Sequence, residues 1–381
     1  MPFVPQTQLR DLGWVARGKM LANTRQLGLH YQTHDPFLIS QVDRCSGTYM
    51  LGKQGGGKSG EVINLGMADL LGNEAMYLID PHGDAVDSII AQLPDVLPRE
   101  RLNKIYLLDM ADEQYPFGLN VFSGINYSSG MAFAESIERI EHIFHILWPE
   151  VMNQHFLPRY FRGAIIALAA NQGSTLVDMY TFLTTDGFRH RILQNVHDES
   201  VKQFWQMQYD DLSPSQRYQR VEPLVGRLES LFMGHSLVRN ILGQQTTINH
   251  RRSIENREVF LIKLPLTTIP QDARLIGTIF LSQLTAAIFS FNDTPEQYRP
   301  GVSLFVDEFA YFATPDFAKL FREGRKFGAK VTIAHQDRSQ LPPALQAATM
   351  TARNIICFQS IPDDAREMGH VFLGGETTVK P

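Results

Sequence analysis

The chain has 381 residues, 44% of them hydrophobic and 20% charged, and a formal net charge of −5. That length suits one large α/β domain with an insertion, or two domains, and the composition excludes a low-complexity chain. The acidic balance excludes a molecule that binds nucleic acid over its whole surface, so any DNA contact has to come from a local basic patch.

Residues 1–35 mix charged and apolar positions without a clean period and are read as a leader segment. The N-terminal M-P-F-V-P-Q-T-Q-L-R is no signal peptide. Cys45 and Cys357 lack metal-ligand spacing and point to a reducing compartment. Phe37–Ser40 is a candidate strand, and Tyr49–Leu51 a strand feeding a Gly-rich turn. Glu61–Leu71 carries Val62, Ile63, Leu65, Met67, Leu70 and Leu71 at helical spacing. A-M-Y-L-I-D-P-H-G-D then reads as a buried strand ending at Asp80, a loop at Pro81 and Gly83, and a helix for which Asp84 is the candidate cap. Ile105–Leu108 runs apolar into Asp109. Alternating strand and helix is the βαβ pattern of a parallel sheet.

From Met131 the texture turns helical, through Phe133–Leu147, Val151–Asn171, Leu176–Thr184, Phe188–Gln194, Val201–Tyr209 and Val221–Leu231. Phe204, Trp205, Phe232 and Met233 are read there as core and lid packing. Asn249–Arg257 reads as turn-rich, and Val259–Leu264 as the return to the sheet. Leu275–Phe291, the longest uncharged run, is read as a buried helix, short of the roughly 20 apolar residues a membrane span needs. Lys330–Ala334 and Asn354–Gln359 are the last predicted strands, Phe317–Phe327 and Pro362–Val371 the last helices, and Gly374–Pro381 an irregular tail.

Two stretches carry chemistry. The first is L-G-K-Q-G-G-G-K-S, the G-x-x-x-x-G-K-[ST] phosphate loop, with Gly52, Lys53, Gln54, Gly55, Gly56, Gly57, Lys58, Ser59 and Gly60 as candidate nucleotide contacts. Glycines let successive backbone N–H groups turn inward around a phosphate. Lys58 would reach the β- and γ-phosphates and the Ser59 hydroxyl would ligate Mg²⁺. The second is G-V-S-L-F-V-D-E-F, an apolar strand delivering Asp307 and Glu308 to its carboxyl end, where α/β sheets bind ligands. Asp307 would share the Mg²⁺ with Ser59, and Glu308 would act as general base on the attacking water. An acidic helix cap after a strand is the alternative if that stretch is taken alone. Gln336, one strand over, can bond both γ-phosphate and water, and Arg325 can reach a neighbouring subunit's γ-phosphate. For Arg325 the residues alone favour a solvated helix end.

With those residues in place, the chain resembles the FtsK/HerA superfamily of ring-forming DNA-pumping ATPases, most closely its type IV secretion (conjugative DNA transfer) coupling-protein branch. The motifs are L-G-K-Q-G-G-G-K-S, Y-L-I-D-P-H-G-D, F-G-L-N-V-F, F-V-D-E-F, and R-E-G-R-K-F-G-A-K-V-T-I-A-H-Q followed by S-Q-L-P, between Gly47 and Val371. The resemblance implies an α/β, RecA-like P-loop fold with a mostly parallel central sheet and an inserted all-α subdomain. Residues 36–130 and 250–381 would form the nucleotide-binding domain and residues 131–249 the insertion. It implies ATP and Mg²⁺ as ligands, Lys58, Glu308 and Gln336 as catalytic, Arg325 as a finger acting in trans, and Asp80 and His82 near the γ-phosphate without a defined role. DNA would be the cargo, a hexameric ring the assembly, and a secretion or relaxosome/nuclease protein a further partner. Coupling proteins usually carry N-terminal membrane helices, which this sequence does not show, and a C-terminal extension that is short or missing here. The alternatives are a soluble member or a shortened chain, and the expected location is the cytoplasm, with a position peripheral to a membrane machine through partners as the variant. Arg217, Arg220, Arg227, Arg251, Arg252 and Arg257 are candidate DNA contacts. The rival functions are a protein-secretion motor of the same superfamily and a nucleotide-gated assembly switch; a small-molecule kinase lacks an acceptor pocket and an arginine-bearing lid.

Overall fold

The computed structural model describes residues 24–29, 33, 35–234 and 236–372. Most of the leader segment and the tail from Gly374 lie outside the described residues. The chain divides into two compact units, Met1–Asp109 with His250–Thr268 and Ala287–Pro381, and Met110–Asn249 with Ile269–Ala286.

The first unit is built on a seven-stranded sheet in the order β5-β6-β4-β7-β8-β3-β9. These strands are β3 (Thr48–Leu51), β4 (Ala75–Asp80), β5 (Ile105–Asp109), β6 (Val259–Lys263), β7 (Val302–Val306), β8 (Ala329–His335) and β9 (Asn354–Cys357). Every pairing is parallel. β4, β7 and β8 are buried at every position, which is why they read as continuous apolar runs rather than alternating ones. Met50, Leu78, Leu261 and Phe305 from the sheet pack with Val62, Leu65 and Leu70 of the Lys58–Leu71 helix and with Val86 and Ile89 of the Asp84–Val96 helix. Parallel direction has one functional consequence. The residues that follow β3, β4, β7 and β8 all leave the sheet at the same carboxyl edge.

Four local expectations change. Thr24–Leu29, for which the sequence predicts no element, is a strand, β1, paired antiparallel with β2 (Pro36–Ser40). Its period is hidden because Arg25 faces inward, donating to Asp69 and Glu74 at 2.9 Å each. Asn249–Arg257 is largely the helix His250–Glu255, whose buried face of His250, Ser253 and Ile254 is too polar to register as apolar periodicity. Arg257 closes that segment in the left-handed region at φ 57°. Asp84 is not the cap of the helix it opens: Gly83 holds that position at φ 83°, and the Asp80 carboxylate accepts from the amides of Ala85 and Val86. Val151–Asn171 is interrupted, giving Pro149–Met152 and Leu157–Ala169, with Pro158 in the first turn of the second helix.

The second unit is helical throughout its described residues, without a strand from Met110 to Asn249. Its centre is Trp205, fully buried, with ring centroids of Phe182 at 4.7 Å, Tyr209 at 5.1 Å and Phe204 at 5.4 Å. Phe232 is also core, but Met233 is 84% exposed and packs no lid. The apolar run at Leu275–Phe291 lies in the helix Pro270–Phe289 and buries Leu275, Ile276, Ile279, Phe280 and Leu284, as read. Pro270–Asp293 is the single helical segment among the described residues long and apolar enough to cross a membrane, and 72% of its 18-residue apolar window is buried within the fold.

Candidate nucleotide-binding site

β3 ends at Leu51 and the chain turns through Gly52–Gly57 into the Lys58–Leu71 helix. Two glycines show why the motif is spelled as it is. A Cβ at Gly52 would lie 2.6 Å from the Phe358 Cβ, and Gly57 caps the helix at φ 108°, outside the reach of L side chains. The Lys58 ammonium is folded into the turn, donating to the Gly52 carbonyl at 2.6 Å and the Lys53 carbonyl at 3.2 Å. From the far side the Lys53 amide donates to the Gln359 carbonyl at 2.7 Å, so the exit of β9 braces the loop. Sequence reasoning missed Phe358 and Gln359, since only the β3–β9 pairing brings them there.

β7 and β8 bring the acidic and amide groups to the same edge. The Ser59 hydroxyl donates to Asp307 Oδ2 at 3.2 Å across 248 residues of sequence. Asp307 Oδ1 accepts the Glu308 amide at 2.9 Å, and the Gln336 side-chain amide donates to Glu308 Oε1 at 2.6 Å. Glu308 sits in the left-handed region at φ 47° with its residue buried, one of three such non-glycine positions among the described residues. Burial, then the neighbouring Glu308 and Asp80 carboxylates, pushes the Asp307 carboxyl up to about 6, against opposing pulls from the Glu308 amide hydrogen bond and, smaller, from Lys58. Acidic oxygens held together with so little compensating positive charge fit a divalent cation. Mg²⁺ needs few protein ligands because it keeps several waters and takes phosphate oxygens. Ser59 and Asp307 are the pair that would hold it.

Asp80 acquires a structural role. Its carboxylate accepts from the amides of His82 at 3.0 Å, Ala85 at 2.8 Å and Val86 at 3.0 Å, fixing the D-P-H-G-D turn and leaving His82 exposed. Lys263, which the sequence did not single out, lies under this turn. A Cβ at Gly83 would meet its Cε at 2.7 Å, and its ammonium pairs with Asp87 at 3.0 Å.

Arg325 is not brought into this group. It lies in the Gly324–Phe327 turn before β8, at the amino edge of the sheet, where its charge acts on Cys45 ahead of β3. Gln336 follows the other end of the same strand. Arg325 is exposed and makes no side-chain hydrogen bond or ion pair among the described residues. Within one chain it therefore cannot serve the phosphate loop on the opposite edge. Among the candidate DNA contacts, Arg251 is engaged by Asp293 at 2.8 Å and Arg217 by Asp186 at 3.0 Å, while Arg227 donates to Gln271 at 3.0 Å. Arg252 and Arg257 are exposed.

A parallel sheet with a phosphate loop leaving one inner strand and an Asp-Glu pair leaving another is the RecA-like P-loop architecture, here with helical insertions. Among solved structures the chain is similar to the bacterial conjugative coupling protein TrwBdeltaN70 in complex with sulphate, at 15% identity and a TM-score of 0.61, covering 94% of this chain and 80% of that one. It is similar to VirB4 of Thermoanaerobacter pseudethanolicus at 14% identity and a TM-score of 0.63, covering 93% and 89%. Plasmid coupling protein TrwB in complex with ADP and Mg²⁺ matches at 15% identity with a TM-score of 0.56, covering 89% and 76%. Likeness at such identities is one of fold, and it is the fold that the sequence motifs imply. No family model and no curated protein matches the chain.

Proposed function

We propose that this chain is the subunit of an ATP-hydrolysing motor that acts on DNA, working in a ring whose active sites are completed by neighbouring subunits. The observation that carries the proposal is the convergence of Ser59, Asp307, Glu308 and Gln336 beside the Lys58 turn. The fold is shared with a coupling protein solved with ADP and Mg²⁺ and with a non-hydrolysable ATP analogue, which supports a nucleotide as ligand. The turn's amides and Lys58 would bind the β- and γ-phosphates. Mg²⁺, when bound, supplies charge neutralisation at the phosphate oxygens.

Glu308 is the candidate base for the attacking water, and the Gln336 amide fixes one of its oxygens, leaving the other to face the water. The exposed position of Arg325 at the amino edge, without a side-chain partner among the described residues, supports its action on a neighbour's γ-phosphate. DNA as the cargo comes from the sequence resemblance; the neighbours described as conjugative and plasmid coupling proteins are in keeping with it.

The test is ATP turnover with single-stranded DNA, with duplex DNA and with neither. Stimulation by one form of DNA is expected. Stimulation by unfolded protein and by no DNA would replace the proposal with a protein-secretion motor, and absence of turnover under all conditions would replace it with a nucleotide-gated switch.

A further inference from the structure

Three arginines in the helical unit are matched to carboxylates. Arg162 meets Glu141 at 2.5 Å, Arg189 meets Asp186 at 2.6 Å, and Arg217 meets Asp186 at 3.0 Å. Arg159 and Arg220 are among those that are not. Neither has an ion pair or hydrogen bond among the described residues, and the Arg220 Nη1 atom is shielded from solvent without a partner. Both instead stand over one ring. The Arg220 guanidinium carbon is 3.6 Å from the Phe156 centroid and that of Arg159 is 5.0 Å from it.

Arg159 lies on the same helix as Phe156 at its start, a local neighbour, but Arg220 arrives from the Pro214–Gly234 helix. The two cationic carbons are therefore no more than about 9 Å apart, close to a Debye length. Phe156 remains 37% exposed, and the His155 ring meets it edge-on at a centroid distance of 4.6 Å.

We infer that Phe156, Arg159 and Arg220 form a binding platform for single-stranded nucleic acid, DNA under the motor reading above, on which this inference rests. Two fixed guanidinium planes present N–H edges to phosphate oxygens and flat faces to bases. The Arg220 guanidinium stacked on Phe156 at 3.6 Å extends the ring into a larger flat surface, and such surfaces take the unpaired bases of single strands, which duplexes do not offer. An acidic protein segment would be held by the same charges but would gain nothing from the ring. The chain is acidic overall, so a patch with uncompensated cations is the kind of local site that its net charge of −5 demands.

The experiment is fluorescence anisotropy of a labelled 20-nucleotide oligo-dT and of a 20-base-pair duplex across a salt series. Full-length wild type is compared with Phe156→Ala, Arg159→Ala/Arg220→Ala and Arg159→Lys/Arg220→Lys, each checked for retained DNA-independent ATP turnover. The alanine pair should bind oligo-dT at least about tenfold more weakly, with a log K against log salt slope shallower by about 1.4, two phosphates' worth for a single strand. Phe156→Ala should weaken oligo-dT by about tenfold with the slope unchanged, and leave the duplex nearly unaffected. The lysine pair should keep the slope and lose affinity for oligo-dT. DNA bound by wild type and by the alanine pair with the same affinity and slope would overturn the platform and leave the motor reading standing. A wild type that binds neither DNA, or that binds polyglutamate in their place, would overturn the DNA reading and the platform with it.

Discussion

Glu308 is held where side chains seldom sit, at φ 47°, a conformation that costs about 1–3 kcal/mol and persists only when its surroundings impose it. Gln336 and Asp307 impose it here, through bonds of 2.6 and 2.9 Å. Glu308→Gln should keep ATP affinity and lower turnover by about 10²- to 10⁴-fold, measured by nucleotide binding alongside steady-state hydrolysis. Lys58→Ala should lose tight ATP binding, since the one cation inside the turn disappears. Lys58, Ser59, Asp307 and Glu308 were legible in the sequence because the chemistry fixes their spacing to strand ends. The Gln336–Glu308 bond and the Phe358 contact that forbids a side chain at Gly52 were not, because each depends on which strands are neighbours. A pH effect also belongs at this scale. Burial pushes the His250 imidazole down to about 3, so the folded chain keeps it neutral while the unfolded chain takes a proton below about 6.5. Stability should therefore fall as pH drops from about 6.5 toward 3, by up to about 1.4 kcal/mol per pH unit for that group. His250→Phe should flatten the pH dependence of the urea midpoint, and an unchanged slope would contradict the assignment.

At the scale of elements, β7 and β8 each have one end at the acidic site and the other at the amino edge. Arg299, ahead of β7, donates to the Lys326 carbonyl and stacks on Phe327 at 4.9 Å, so the turn that carries Arg325 is braced by the segment leading into the Asp307 strand. Arg299→Ala should lower turnover by as much as about 100-fold, the cost of a finger misplaced by roughly 1 Å, with little change in apparent ATP affinity. Equal loss in both quantities would place the defect elsewhere. Asp69 is buried between Arg25 at 2.9 Å and Arg44 at 2.6 Å, tying the β1–β2 hairpin and the Gln41–Arg44 helical turn that follows it to the phosphate-loop helix. Asp69→Ala removes the carboxylate that pairs with buried Arg44 and leaves Arg25 with Glu74 alone, and should cost about 3–5 kcal/mol in urea unfolding. The buried parallel strands could be read from their apolar runs. β1 and the His250–Glu255 helix could not, because each turns charged or polar side chains inward and their partners lie far along the chain.

For the whole molecule, the separation of Arg325 from the phosphate loop is the feature that most constrains function. The two lie on opposite edges of a parallel sheet, so a ring in which each subunit's amino edge faces its neighbour's carboxyl edge would complete every site. Such a ring also couples sites, since Arg325 and Gln336 bracket one strand, β8. Under the motor reading, the net charge of −5 leaves DNA binding to local patches, of which the proposed Phe156 platform is one. The most direct test of a shared active site is ATP turnover after mixing Glu308→Gln subunits with Arg325→Ala subunits, each inactive alone. If Arg325 acts in trans, mixed rings contain sites with both an intact base and an intact finger, and turnover should return to about a quarter of wild type for random mixing of equal amounts, each such site needing one subunit of either kind in the right order. Mixtures as inactive as their components, under conditions where subunits exchange, would contradict the account.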